Sequence, residues 1–289
     1  MFRGFTAACV QNTATPDVDH DIRATLEWSR RAAGEGAELV CLPEYFCGLE
    51  TREGRFLPAA FAEEEHPALP AFAEAARELG LWFHLGSLGI TASDGRIFNR
   101  GYLIDSTGGI AARYDKIHLF DVNLAEGQTY RESATIAPGG EAVVADTPWA
   151  KIGLTICYDL RFAALYRTLA HAGAGVLVVP AAFTRTTGKA HWHVLNRARA
   201  IETGSYVLAA CQPGEIVGGG ACYGHSLIVD PWGRILADGG TEEGYVAARI
   251  DMAEVDKARS MIPALTHDRI FSEPGEFEAG EERRLRERF

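Results

Sequence analysis

Three side chains in this sequence have the type and setting to do covalent chemistry. Cys157 closes the run Lys151-Ile-Gly-Leu-Thr-Ile and is followed by Tyr-Asp-Leu-Arg-Phe. An apolar strand that delivers a thiol to a polar turn places it at the carboxyl end of a strand, where α/β sheets build their sites. There, a helix N-terminus can lower a thiol pKa, and its backbone N–H groups can receive a developing oxyanion. Glu44 ends a comparable run, Glu38-Leu-Val-Cys-Leu-Pro-Glu. Apolar neighbours on both sides are expected to desolvate that carboxylate and raise its pKa towards that of a general base. Lys116, in Arg113-Tyr-Asp-Lys-Ile-His, leaves a hairpin towards the same end, as an ammonium suited to support an oxyanion. Read blandly, the three are a packed thiol, a solvated carboxylate and a surface charge. Of the other cysteines, Cys9, Cys41 and Cys211 sit within apolar strands and read as core, while Cys47 and Cys222 have no catalytic context.

The elements that must hold these residues follow from apolar patterning. Short apolar runs at Phe5–Val10, Glu38–Leu42, Leu81–Leu85, Lys151–Cys157, Val176–Val179 and Tyr206–Cys211 predict buried strands. Between them, Val18–Ala33 after the N-cap candidate Asp17, Ala68–Leu79 before Gly80, Ala163–Ala172 before Gly173, and Lys189–Thr203 before Gly204 predict helices. Each series ends in a hairpin, around Ser106-Thr-Gly-Gly in the first half and Asp230-Pro-Trp-Gly in the second. The order of elements over 1–145 thus recurs over 146–251. Two face-to-face sheets with helices outside, built from two similar halves of one domain, are expected. Beyond Asp251 the pattern stops, so residues 252–289 read as a charged C-terminal extension. Its end, Glu273–Phe289, is dense in Glu and Arg and cannot form a core alone.

The 289 residues carry 28 Lys plus Arg against 39 Asp plus Glu, a formal charge of −11. An acidic surface of that size disfavours nucleic acid and anionic membranes as partners. The start lacks the plan of a signal peptide, and no apolar run is long enough to span a bilayer. The six scattered cysteines form no CxxC or zinc-ligand spacing. Cytoplasmic location with reduced thiols is the simplest expectation.

The segments around the three candidates carry a resemblance. Leu42-Pro43-Glu44, Tyr114-Asp115-Lys116-Ile117-His118 and Ile156-Cys157-Tyr158-Asp159-Leu160-Arg161-Phe162 resemble the Glu, Lys and Cys motifs of the nitrilase superfamily, the carbon–nitrogen hydrolases. Arg131-Glu132-Ser133 resembles the segment with that family's second glutamate. Gly188-Lys-Ala-His-Trp, Arg197-Ala-Arg-Ala-Ile-Glu, Tyr223-Gly-His-Ser and Asp230-Pro-Trp-Gly are similar to its Nit branch. The match spans roughly residues 5–251, in order. It implies a four-layer αββα sandwich, in agreement with the two-half layout, and a homodimer or higher homo-oligomer. It also implies that Cys157 attacks an amide carbonyl, Glu44 takes its proton and later activates water, and Lys116 with the Tyr158 backbone N–H steadies the oxyanion. Glu132 would orient Lys116 and the substrate nitrogen. A thiol, a carboxylate and an ammonium supply nucleophile, base and leaving-group proton without a metal, so no cofactor is expected.

The function implied is hydrolysis of a small linear carboxamide to an acid and ammonia. The Nit branch points to ω-amides of dicarboxylic acids, such as 2-oxoglutaramate, or to deaminated glutathione. An anionic substrate needs local positive charge, for which Arg161, Arg185 and Lys189 are candidates by position, with Tyr45, Phe183 and Thr184 as walls. An N-carbamoyl amine or a nitrile on the same site is an alternative, and a catalytically idle scaffold is another. One departure stands out: after His191-Trp192 the branch usually has Glu, and this chain has His193. His191 and His193 are two apart and point to different faces of a helix, so they predict no metal site. Gly218-Gly-Gly220 lacks a phosphate-binding context, and Arg197 and Arg199 read as structural ion-pair partners, with Glu202 near.

Overall fold

The computed structural model describes residues 4–52, 55–92, 94–124 and 129–271. Glu273–Phe289, the charged end expected to lie outside the core, falls outside them. Two sheets dominate. The first has the strand order Ile136–Ala137, Ile97–Ile104, Trp82–Thr91, Leu39–Cys41, Phe5–Gln11, Gly244–Ile250, with Ile110–Asp115 paired beside Ile97–Ile104. The second runs Val143–Asp146, Lys151–Leu154, Val176–Val178, Tyr206–Ala209, Leu227–Val229, Ile235–Asp238.

The two halves repeat one plan. Phe5–Gln11, Leu39–Cys41 and Trp82–Thr91 are parallel, and an antiparallel hairpin, Ile97–Ile104 with Ile110–Asp115, follows. Lys151–Leu154, Val176–Val178 and Tyr206–Ala209 are likewise parallel, and the antiparallel strands Leu227–Val229 and Ile235–Asp238 follow. The crossovers are helices α1 (Val18–Gly34) and α2 (Ala68–Leu79) in the first half, α3 (Ala163–His171) and α4 (Arg185–Thr203) in the second. Their ends follow sequence chemistry. Asp17 accepts the His20 N–H at 2.9 Å as the α1 N-cap, while Gly80 and Gly204 take the left-handed conformation that closes α2 and α4.

Alternation along Phe5–Gln11 builds the four layers. Phe5, Ala7 and Cys9 pack into the core shared with Ile152, Leu154 and Val176 of the second sheet. Ala8 and Val10 point the other way, into a core with Ile22 and Leu26 of α1 and Phe72 of α2. A strand buried on both faces reads as a continuous apolar run rather than an alternating one. Phe5 stacks on Trp149 at 4.6 Å between ring centroids, a contact of about 0.5–1.5 kcal/mol beyond its area. The fold is therefore the αββα sandwich.

Some expected boundaries move. The run Lys151–Cys157 stops being a strand at Leu154, because Cys157–Arg161 forms a 3-10 turn. Helix α4 starts at Arg185 rather than Lys189. The strand Gly244–Ile250 closes the second half by pairing antiparallel with Phe5–Gln11 of the first. After Asp251, helix α5 (Met252–Met261) buries Met252 and Val255 against the inter-sheet core. Among the described residues, no helix is long and apolar enough to cross a membrane.

Candidate active site

Glu44 sits just past the strand Leu39–Cys41, on a loop held hard against its neighbour strand. Gly86 makes that approach possible: a Cβ there would lie 2.1 Å from the Leu42 carbonyl oxygen and 2.3 Å from that of Pro43. The next residue, Tyr45, has φ +47°, and its N–H donates to Ser87 Oγ at 3.0 Å. Gln212 from the second half donates to the carbonyls of Glu44 (2.8 Å) and Tyr45 (2.9 Å). The loop is thus fixed from both halves, and Glu44 is 3% exposed. Strain of this kind at a non-glycine residue persists only where several contacts over-determine it.

Lys116 follows the strand Ile110–Asp115 and is pinned by its own backbone. Its N–H donates to the Asn99 carbonyl at 2.9 Å, and its carbonyl accepts from Gly139 N–H at 2.8 Å. The buried ammonium donates to Glu44 Oε1 at 2.8 Å and to both carboxylate oxygens of Glu132, at 3.0 and 2.9 Å. Asn99 Nδ2 joins them, 2.8 Å from Glu44 Oε1 and 3.3 Å from Glu132 Oε1. The other Glu44 oxygen accepts from Ala182 N–H at 2.8 Å, and Glu132 Oε2 from Phe120 N–H at 2.6 Å.

Cys157 opens its turn at φ +47°, with its N–H donating to the Pro180 carbonyl at 2.8 Å. Asp159, fully buried, holds this elbow. It accepts from Ile156 N–H (2.9 Å) and from the Tyr114 hydroxyl (2.6 Å), and its other oxygen from His118 N–H (3.0 Å), with His118 Nδ1 at 2.7 Å. The segment bearing Lys116 and the turn bearing Cys157 are therefore clamped together by one carboxylate.

The electrostatics differ from expectation in two places. Burial alone pushes the Glu44 pKa up, but the Lys116 ammonium and the hydrogen bonds from Lys116, Cys157 and Ala182 outweigh it, so Glu44 is held below the ordinary 4.5. The expected rise fails because the desolvated carboxylate is paired. Cys157 is not lowered either: burial, and then the Glu44 carboxylate, push its thiol well above the ordinary 9.0. Burial, with Glu44 adding repulsion, raises Glu132, whereas the two carboxylates raise Lys116 well above 10.5 against its desolvation. The resting cluster is a protonated thiol beside an ionised glutamate and an ammonium.

Glu44, Lys116, Glu132, Cys157 and Tyr158 all line one cavity. Tyr45, Phe183 and Thr184 line it too, as expected of walls. Sequence reasoning missed an aromatic wall of Phe56, Phe120 and Tyr130, with Phe120 5.1 Å from Tyr130 and from Tyr158 between centroids. It also missed Asn99, whose signal is tertiary. The three expected cations lie elsewhere. Arg161 spreads over the rings of Tyr158 (5.7 Å) and Phe183 (5.5 Å), with Nη1 3.3 Å from His191 Nδ1. Arg185 pairs with Glu215 at 2.8 Å, and Lys189 is exposed on α4. The helical period explains this, since Thr187 faces the cavity and Arg185 and Lys189, two residues to either side, face away. Besides the buried Lys116, the cavity is lined by Arg55 and Arg131, both exposed.

Comparison with known proteins agrees with this geometry. The family described as carbon-nitrogen hydrolase matches residues 6–260. The deaminated glutathione amidase of Synechocystis sp. is 40% identical over 272 residues, 92% of this chain and 98% of that protein. The C. elegans NitFhit crystal structure superposes with TM-score 0.83 at 34% identity, over 93% of this chain and 66% of that one. An amidase variant from Nesterenkonia sp. AN1 superposes with TM-score 0.76 at 25% identity, over 92% of this chain and 94% of that one. Its structure shows the acetamide moiety of fluoroacetamide added covalently at the active-site cysteine. With the αββα sandwich, the cavity and a match along nearly the whole chain, this protein belongs to the carbon–nitrogen hydrolase family.

Proposed function

We propose that this chain hydrolyses a linear amide whose acyl part ends in a carboxylate, deaminated glutathione being the leading case and 2-oxoglutaramate its smaller relative. One observation carries the reading: the Cys157 thiol and the Glu44–Lys116–Glu132 cluster share a cavity with two further cations, Arg55 and Arg131. Among the described residues, the Arg131 guanidinium donates to neutral oxygens, those of Val122, Tyr130 and Asn123, so its charge is available to an anion. The Tyr45 hydroxyl is buried without a hydrogen-bond partner there, and burial holds it protonated, a donor for a substrate oxygen.

The steps follow from the resting charges. Cys157 Sγ attacks the carbonyl carbon as its proton passes to Glu44. The oxyanion is received by Lys116 Nζ and the Tyr158 N–H. Glu44 returns the proton to the nitrogen, the C–N bond breaks, and a thioester remains. Glu44 then deprotonates a water that attacks the thioester, and the C–S bond breaks as the thiol regains a proton. Glu132 keeps Lys116 in place throughout. A primary amide yields ammonia, whereas deaminated glutathione yields cysteinylglycine in its place.

The test is product analysis on deaminated glutathione, 2-oxoglutaramate, a neutral primary amide, an N-carbamoyl amino acid and a nitrile, beside Cys157→Ala. Turnover of the carboxylate-bearing amides, abolished by the substitution, is expected. Arg55→Ala and Arg131→Ala should raise KM for those amides and leave the neutral amide unchanged. Carbon dioxide release from the carbamoyl compound, or turnover of the nitrile alone, would overturn the substrate class.

We further propose a homodimer. Val194 and Ile201, two turns apart on one face of α4, are 65% and 53% exposed, and Trp232 beside Ile201 is 49% exposed. Such a patch supports pairing of two copies. Sedimentation of the protein and of Ile201→Glu checks it, and a wild-type monomer would refute it. A catalytic free thiol fits the reducing cytoplasm, which cell fractionation tests.

A further inference from the structure

Outside the hydrolytic cavity, three ligating side chains from three elements converge. We propose that His193, His225 and Asp238 hold one divalent transition-metal ion of the Zn2+ class. His193 lies in the middle of α4, His225 on the loop before Leu227–Val229, and Asp238 ends the strand Ile235–Asp238. His193 Nε2 is 3.1 Å from Asp238 Oδ2, and His225 Nδ1 is 2.8 Å from Asp238 Oδ1. The ligating atoms all lie within 4.8 Å of one another. Tetrahedral zinc, with bonds of about 2.0–2.1 Å, needs its donors about 3.3 Å apart, so small side-chain rotations close the set. Two imidazoles and a carboxylate are among the donor sets zinc takes with a fourth position open. Here the side chains are 24–36% exposed, which leaves that position to water.

The surroundings fix the donors. The Gly240 N–H donates to Asp238 Oδ1 at 2.9 Å. The His225 backbone stands at φ +53°, its carbonyl accepting from Trp192 Nε1 at 2.7 Å and its N–H donating to the Gly240 carbonyl at 2.5 Å. Tyr223 stacks on the His225 ring at 4.5 Å and meets the His193 ring edge-on. Outer contacts of this kind orient metal ligands. The buried Trp192 in turn packs on Phe183, 5.0 Å between centroids, which lines the catalytic cavity. An ion here would stiffen that wall without entering the chemistry.

The experiment titrates Zn2+ into chelator-stripped, full-length protein in competition with a chromophoric chelator. It compares wild type with His193→Gln, Asp238→Asn and His191→Ala. His193→Gln keeps a hydrogen-bond donor for Asp238, so the site loses a metal ligand while its resting contact survives. One ion per chain is expected, with affinity falling at least about tenfold in the first two variants, the loss that even an outer-shell partner causes, and unchanged in His191→Ala. Co2+ in place of Zn2+ should give visible ligand-field bands that vanish in the same two variants. Equal affinity in wild type and both ligand variants would overturn the site. So would absence of tight binding in wild type, or a Co2+ spectrum dominated by thiolate charge transfer, which would put the ion on a cysteine.

Discussion

Asn99 offers the sharpest test of the catalytic electrostatics, because its amide contacts the two carboxylates of the cluster rather than the nucleophilic sulfur. Its side-chain N–H donates at 2.8 Å to the same Glu44 oxygen that Lys116 engages. That oxygen is buried, so Asn99→Ala takes a direct donor from a desolvated carboxylate. A hydrogen bond to a charged group contributes about 1.5–3 kcal/mol, and one pKa unit corresponds to about 1.4 kcal/mol. The ionised form of Glu44 loses that stabilisation, so its pKa should rise by about one to two units. Glu44 works as a base only when ionised. It is held below the ordinary 4.5, so the acid limb of kcat/KM should move up by the same amount. The assay is the kcat/KM profile for one amide, wild type against Asn99→Ala, with thermal melting of both at each pH to keep unfolding separate. A loss of the same factor at pH 5 and pH 8 would refute the argument, since it would mean that Asn99 shapes the site without tuning Glu44.

Other expectations follow from the same contacts. Between about pH 6 and 8.5, kcat/KM in the wild type should be flat, because Glu44 titrates below that window and Cys157 and Lys116 above it. A limb near pH 7 would instead point to a thiolate–imidazolium pair. Lys116→Met leaves two buried carboxylates without their cation and should cost about 3–5 kcal/mol of stability along with activity, read by denaturant unfolding. The sign for Lys116 in the wild type is that its raised pKa stabilises the fold fully below 10.5, with loss only as pH climbs through the higher folded value. Gly86→Ala forces the Leu42-Pro43 carbonyls away and should abolish activity by moving Glu44, while Gly36→Ala, in open space but at φ +92°, should lower stability through backbone strain and leave kcat unchanged. Asp159→Asn removes acceptors from a fully buried clamp and should lower both the melting temperature and the rate of Cys157 alkylation by iodoacetamide. Unchanged alkylation would show that the turn holds its shape alone.

What the sequence made legible, and what it hid, divides by the range of the interaction. The parallel strands are buried on both faces, so they read as apolar runs, and Asp17, Gly80 and Gly204 announce helix ends by their own local chemistry. Glu44, Lys116 and Cys157 were visible because each ends an element. Asn99 sits mid-strand in Ile97–Ile104, and only the register against Lys116 turns its amide towards Glu44. Asp159 stands inside the cysteine motif, yet its work depends on Tyr114 and His118, more than 40 residues away. The pKa directions could not be read at all from neighbours in sequence. Apolar flanks argued for a raised Glu44, whereas an ammonium from residue 116 reverses the sign.

That reversal has a mechanistic consequence. A glutamate held ionised beside a thiol held protonated forms a pair in which the proton moves only as the sulfur bonds to carbon. The thiol's raised pKa makes a resting thiolate scarce and the idle enzyme slow to oxidise, since oxidation follows thiolate character. It also makes the sulfur a strong nucleophile once the proton has left, because intrinsic nucleophilicity rises with pKa. Lys116 links the two ends of this arrangement. In the proposed steps it keeps Glu44 ionised as the base and stands where the oxyanion develops, so that the positive charge stabilising the resting carboxylate is available to the transition state as negative charge leaves Glu44 for the substrate oxygen. In the proposed steps Glu132, hydrogen-bonded to the ammonium through both oxygens, holds Lys116 in place while Glu44 is transiently neutral, a task for a second carboxylate in a buried site that already has a base.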